Sequence, residues 1–310
     1  MPTRTAVTCL AAAVMAVACC AGMPRQAAAS AARVDRFDAE RAWRLVERQV
    51  AVGQRPAGSP QLRRLARRLR RLLPSGRFES LPGDSRLRNV VGTIPGRRPA
   101  IVLGAHYDTL VEPQEFVGAN NGAAGTAVVV EAARALAWLP RAAGMRELRF
   151  VLFDGEEPAA GLPEESADFY HHGLRGSRAY VAAHPGRTCA MMLLDYVGNR
   201  GLRLPREGTS TPALWVRLRR AARRVGAISH FPDTSGVAIT DDHTPFLRAG
   251  VPAINLIDWR YPGHDLSDGL DKLSPRSLDA VGETIIELAL DVATDQDGQC
   301  ASEATAKPAA

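Results

Sequence analysis

Apolar positions recur along this chain in two rhythms that take turns. Between residues 34 and 73 they return every three or four positions, which predicts two helices, broken at "GQRPAGSP" by glycine and proline. "RNVVGTI" (88–94) and "PAIVLGAH" (99–106) are short apolar runs separated by "PGRR" and predict a pair of strands. The Ala-rich "GAAGTAVVVEAARALAWL" predicts a helix over 123–139. Downstream, "ELRFVLFD", "CAMMLLDYVG" and "VPAINLI" predict buried strands. "GSRAYVAAH" and "TPALWVRLRRAARRVG" predict helices, and "DDHTPFLRAG" a short helical turn. "SPRSLDAVGETIIELALDV" predicts a terminal helix with Ser274 as N-cap and Pro275 at the first helical position. Strands alternating with helices, with no linker or internal repeat, predict a single α/β domain over 34–293. Its central sheet is mostly parallel, with helices on both faces.

The chain has 310 residues, 46% of them hydrophobic, which is enough for a substantial core. Residues 1–29 differ from the rest: Arg4, an apolar run from 6 to about 21, then small residues. This is the layout of a secretory signal peptide. The run is short for a membrane span, which needs about 20 apolar residues. An exported, extracytoplasmic protein follows, with no integral span in the mature chain. Lipid attachment at Cys19 is the alternative form of export. The mature chain keeps Cys189 and Cys300, and export permits a disulfide between them. Residues 299–310 are small and polar and predict a disordered tail.

The net charge of +6 is concentrated in "RRLARRLRRLL" (63–73). Leu62, Leu65, Leu69, Leu72 and Leu73 recur there at helical spacing between arginines, which predicts an amphipathic helix with a solvated basic face. Nucleic acid is not an expected partner of an exported chain. The sequence assigns no oligomeric state.

The chemistry gathers at strand ends, where open α/β sheets bind ligands. His106 and Asp108 end "IVLGAHYD". Asn121 follows in the next loop, Glu156 and Glu157 follow "LRFVLFDG", Asp195 ends "MMLLD", Asp242 precedes "HTPFL", and His264 follows "INLIDWRYPG". One polar residue at one strand end is ordinary; His, Asp or Glu at several is not. Histidine nitrogen and carboxylate oxygen are the donors of catalytic zinc. Of two adjacent glutamates, one can bind metal while the other serves as general base. Asp108, two residues after His106, can orient that imidazole. Trp259 and Tyr261, beside His264, are candidate walls of a substrate pocket.

The ordered motifs "AHYD", "GANNGAAG", "FDGEE", "GLRGSRAY", "LLDYVG", "DDHTPF" and "YPGHD" resemble those of the zinc aminopeptidase and glutaminyl cyclase superfamily (peptidase clan MH, family M28) over about residues 88–292. The resemblance implies a zinc-exopeptidase-like, phosphorylase/hydrolase-like fold and an enzyme acting on peptide or protein N-termini. It implies Glu156 as general base, Glu157 and His264 on a first zinc, and His106 and Asp195 on a second where one is present. It places at Asn121 an aspartate that bridges two metals or ligates one. The activity it implies is zinc-dependent aminopeptidase hydrolysis; the alternative is cyclisation of an N-terminal glutamine on a single zinc, with Asp242 joining Glu156 and Asp195 in a proton network.

Asn121 departs from that pattern. Its amide offers one neutral oxygen where aspartate offers two and a charge. Two close dications without a bridging carboxylate repel strongly. One zinc is therefore expected rather than two. A peptide-binding pseudoenzyme of the same fold is a further alternative. Because Asn121 precedes Gly122, deamidation that restores an aspartate is another.

Overall fold

The computed structural model describes Met1 and residues 35–162 and 168–295. The expected leader, Met1 apart, and the expected tail lie outside the described residues. Two N-terminal helices form as the pattern predicts, α1 (Ala39–Val50) and α2 (Pro60–Leu72). Asp38 caps α1 by accepting from Arg41 N, and Ser59 caps α2 by accepting from Leu62 N. Leu62, Leu65, Ala66 and Leu69 form the buried stripe of α2, while Arg64, Arg67, Arg68, Arg70 and Arg71 face solvent. Each buried leucine contributes about 2 kcal/mol. The basic face is thus the outer side of an amphipathic helix.

Six strands follow: β1 (Arg77–Leu81), β2 (Asp84–Ile94), β3 (Arg97–His106), β4 (Arg146–Phe153), β5 (Thr188–Leu194) and β6 (Ala253–Leu256). They form one sheet in the order β1-β2-β4-β3-β5-β6. The pairings β3–β4, β3–β5 and β5–β6 are parallel; β1–β2 and β2–β4 are antiparallel. The sheet is mixed and mostly parallel, in a single α/β domain, as expected. One expectation is corrected. The runs 88–94 and 99–106 are neighbours in sequence but do not pair, because β4 lies between them. Every residue of β4 is buried, so β4 needs a partner strand on each side. The edge strand β1 went unread, because "RFESL" carries too little apolar alternation.

The remaining helices are α3 (Gly125–Trp138), α4 (Phe169–His172), α5 (Arg175–Ala183), α6 (Pro212–Arg224), α7 (Thr244–Arg248) and α8 (Pro275–Ala293). One sheet face packs Ile101, Leu103, Leu148, Phe150 and Met192 against α1, α2, α3, α6 and α8. The other packs Val102, Val151, Phe153 and Met191 against Tyr180 of α5 and Phe246 of α7. Successive strand residues alternate between the two cores, as the period of two requires. Among the described residues no helix is long and apolar enough to cross a membrane. Cys189 is disulfide-bonded.

Candidate active site

The parallel strands deliver their carboxyl ends to one edge. His106 closes β3 in register with Phe153, the last residue of β4. The loops carrying His106–Asp108 and Glu156–Glu157 therefore start side by side. β5 pairs with β3 on its other side and ends immediately before Asp195.

Asp108, fully buried, ties the first two loops together. Its two oxygens accept the backbone N–H groups of Glu156 and Glu157, both at 3.3 Å. Its Oδ1 lies 3.7 Å from His106 Nδ1, which is buried without a hydrogen-bond partner. On the other ring nitrogen, His106 Nε2 meets Asp195 Oδ1 at 3.4 Å. Burial opposes protonation of His106, but Asp108, Asp195 and Glu156 outweigh it and raise its pKa well above the usual value.

The loop carrying Asn121 is pinned from two directions. Asp268, 1% exposed, accepts Asn120 N on Oδ1 and Asn121 N on Oδ2, both at 2.9 Å. Tyr261 donates its hydroxyl to the same Oδ1 at 2.6 Å. Arg55, from the turn between α1 and α2, is fully buried and donates to the carbonyls of Tyr107, Val117 and Gly118. Burial lowers its pKa to about 10, so the guanidinium stays charged among Asp268, Asp108 and Glu157. Gly122 has φ +85, and a Cβ there would meet Asp108 O at 2.7 Å. Only glycine lets this loop fold against the β3 loop.

A cavity of about 370 Å³ opens at this edge. Asn121, Glu156, Glu157, Asp195 and His264 line it beside Phe169, Tyr196, Ile257 and Trp259; residues 237–241 form a further wall. The structure thus gathers most of the candidates around one space. His106 lies behind them, fully buried. Trp259 lines the cavity with its side chain 48% exposed. Tyr261 does not line it and supports the Asn121 loop instead, while facing an adjoining cleft. His171 and His172 sit on α4, outside the cavity.

Two placements differ from the reading of the motifs. Asp242 is completely buried and does not line the cavity; its neighbour Asp241 does. Asn255 donates to Asp241 Oδ2 at 2.7 Å, and burial with the Asp195 charge pushes the Asp241 pKa up to about 6. The Asp242 oxygens find no donor, since nearby Ser177 donates to Leu174 O. Burial first, then the charge of Asp241, raise the Asp242 pKa well above the carboxylate range. The second is Tyr196, which the motifs did not single out. It holds φ +45, donates its backbone N–H to Asp195 Oδ1 at 2.9 Å, and packs against Trp259, Tyr261 and His264. Its position directly after Asp195 in "LLDYVG" was the available signal.

Glu156 reaches the cavity with its carboxyl strongly perturbed. Burial and the adjacent Glu157 charge raise its pKa well above the ordinary value. His106, Glu156 and Glu157 each offer a ligand atom, all within 4.8 Å of one another. One imidazole and two carboxylates around an unpartnered buried ring nitrogen fit a zinc-class cation. Asn121 presents its carboxamide N–H to this group, donating from Nδ2 to Glu157 Oε1 at 2.8 Å.

The model of Peptidase family M28 matches residues 89–289. The glutaminyl-peptide cyclotransferase of Bothrops jararaca is 25% identical over 233 residues, covering 64% of this chain and 63% of the relative. The match thus spans just under two thirds of that relative's length. The structure of Porphyromonas gingivalis glutaminyl cyclase superposes with a TM-score of 0.70 at 28% identity, covering 83% of this chain and 99% of that one. A leucine aminopeptidase precursor from Bacteroides thetaiotaomicron superposes with a TM-score of 0.71 at 26% identity, covering 82% and 97%.

Proposed function

The chain belongs to peptidase family M28, and from that premise we propose that it is a glutaminyl-peptide cyclotransferase working with a single zinc ion. The observation that carries this reading is the hydrogen bond from Asn121 Nδ2 to Glu157 Oε1. At the position where the family pattern has an aspartate that bridges two metals or ligates a single one, this chain has a neutral donor engaged with the carboxylate of Glu157. Two close dications would lack the bridging charge that offsets their repulsion. Aminopeptidases of this pattern typically use two metals, whereas cyclisation needs only one.

Following the family pattern, Glu157 and His264 would hold the ion on the cavity they line with Asn121, and Glu156, in the same close group as Glu157, would stay free of it. Bound there, zinc would act as a Lewis acid on the substrate's side-chain carbonyl. The chain's own residues account for the rest. The apolar walls Phe169, Ile239, Ile257 and Trp259 enclose the methylenes of an N-terminal glutamine. Its α-amino nitrogen attacks its own side-chain carbonyl carbon; that C–N bond forms and the bond to the side-chain amide nitrogen breaks. Glu156, whose raised pKa suits it to carry a proton in both directions, takes one from the attacking nitrogen. It returns it to the leaving nitrogen, which departs as ammonia. Asp195 and Asp241, on the same cavity, hold the polar side of the substrate in place.

Hydrolysis of an N-terminal peptide bond is the second reading, favoured by the likeness to the leucine aminopeptidase precursor. The test is to incubate the mature protein, supplied with zinc, with N-terminal glutamine peptides and with aminoacyl anilides. Release of ammonia and a cyclised product supports the proposal. Anilide hydrolysis without cyclisation replaces it with the second reading, and turnover of neither overturns both.

A further inference from the structure

One wall of the cavity is made of five consecutive residues, 237–241. Residues 236–240 belong to no helix or strand, and Val237 is 56% exposed. Ala238, Ile239 and Thr240 of this strip also line a second cavity, together with Thr209, Thr244, Leu247 and Arg248. The strip 237–241, called the partition below, is therefore a wall common to two cavities.

Asp241 at the end of this partition is held by Asn255 and Thr244, and a buried carboxylate holds its middle. Glu207, 2% exposed, accepts the Ile239 N–H on Oε1 at 2.9 Å. The same oxygen accepts the Thr209 N–H at 2.9 Å, and Oε2 accepts the hydroxyls of Thr209 and Ser210, both at 2.9 Å. His243 Nε2 lies 3.3 Å from Oε2 and 2.8 Å from Thr209 Oγ1. Backbone bonds follow the same seam: Gly208 N donates to Val237 O at 2.8 Å, and Gly236 N to Arg206 O at 2.7 Å. The seam is close-fitting, since a Cβ on Gly208 would meet Ala238 N at 2.7 Å. Glu207 does not line the candidate active site. Its carboxylate gathers four donors and a histidine, and the cavity wall is one of the things it holds. Charge-assisted hydrogen bonds of this kind are about twice as strong as neutral ones, and the bond from Ile239 is the side-chain anchor at the middle of the strip.

We infer that Glu207 is a positioning residue that fixes the partition 237–241 and thereby sets which N-terminal side chain the active-site cavity accepts. This rests on the reading of that cavity as the seat of the substrate's N-terminal residue. The same partition faces both cavities, so loosening it changes cavity width without touching Glu156, Glu157 or His264.

The experiment compares wild type with E207A, E207Q and G208A. G208A attacks the seam from the side of the backbone and leaves the carboxylate intact. Steady-state kinetics on an N-terminal glutamine peptide are combined with inhibition constants for peptides beginning with Ala, Leu or Phe. KM in E207A and G208A is expected to rise about tenfold with kcat nearly unchanged, because ground-state fit is lost rather than chemistry. The ratio of the Phe-peptide to the Ala-peptide inhibition constant is expected to shift several-fold in the same variants, with E207Q in between. Thermal melts identify the folded variants, and G208A or E207Q decides the matter where E207A does not fold. Folded variants that keep the wild-type KM and inhibition ratios overturn the inference, as does a uniform fall in kcat with those ratios unchanged. Should the wild type turn over no glutamine peptide, the proposed function fails by itself. Calorimetric affinities for the same peptides then still report whether the Phe-to-Ala ratio shifts.

Discussion

Asn121 Nδ2 donates to Glu157 Oε1 at 2.8 Å, so the residue that departs from the family pattern is bonded directly to a residue that keeps it. The amide neutralises nothing, but it satisfies a buried carboxylate that two aspartate-like neighbours would leave in mutual repulsion. Asn121→Asp is therefore expected to act in opposite directions with and without metal. Without zinc, two close carboxylates cost about 1–3 kcal/mol, the penalty of losing a buried charged hydrogen bond. With zinc, the new carboxylate is expected to tighten binding about tenfold or more, about 1.4 kcal/mol. Zinc titration by calorimetry and melting curves with and without zinc check both; equal zinc affinity in the two proteins counts against the assignment.

Glu156→Gln keeps the shape of the side chain and removes the proton carrier. A fall in kcat of about 10²–10⁴-fold is expected, the range for a general acid–base. Zinc affinity is expected to change far less. Comparable losses in both would mean that Glu156 serves mainly as a ligand.

Asp268→Asn tests the clamp on the Asn121 loop. The carboxylate accepts two backbone N–H groups and the Tyr261 hydroxyl, whereas an amide must turn a donor toward one of them. The variant is expected to lose about 1–3 kcal/mol of stability and to bind zinc more weakly. Denaturant unfolding measures the first and calorimetry the second. Stability and metal affinity both at wild-type values would show that the loop holds its place without Asp268.

Glu207 predicts an acid dependence. Burial pushes its pKa up, but bonds from His243, Thr209 and Ile239 overcome this and hold it at about 2. A carboxyl depressed in the folded state stabilises above its unfolded pKa, and that stability is lost as the pH falls through the folded value. The stability gap between wild type and Glu207→Gln is expected to be full at neutral pH. It should shrink as the pH drops from about 4.5 toward 2. Unfolding free energies of both proteins across that range test it, and a gap independent of pH contradicts it.

Deamidation of Asn121 is expected to be negligible in the folded protein. The residue is 2% exposed, its backbone N–H is held by Asp268, and the nitrogen that would leave is bonded to Glu157. Peptide mapping after prolonged incubation should return intact Asn121, with deamidation only after unfolding. Aspartate accumulating at 121 in folded protein would reverse this.

The sequence by itself determined the alternation of strands and helices, the amphipathic α2, the cap of α8, and the family. It also singled out Glu156, Glu157, Asn121, Asp195 and His264, which the fold brings to one cavity, because polar groups at the ends of successive strands stand out locally. Tertiary structure alone decided the rest. Strand order is a long-range pairing, so nothing within 88–106 shows that β4 inserts between β2 and β3. "DDH" does not say which aspartate faces the cavity; the chain's path through residues 237–243 turns Asp241 toward it and buries Asp242. Arg55, Asp268 and Glu207 occupy stretches without motif, and they acquire roles only when the fold carries them to loops distant in sequence. The sequence supplied the chemical groups at the site, and packing at long range supplied what holds them in place.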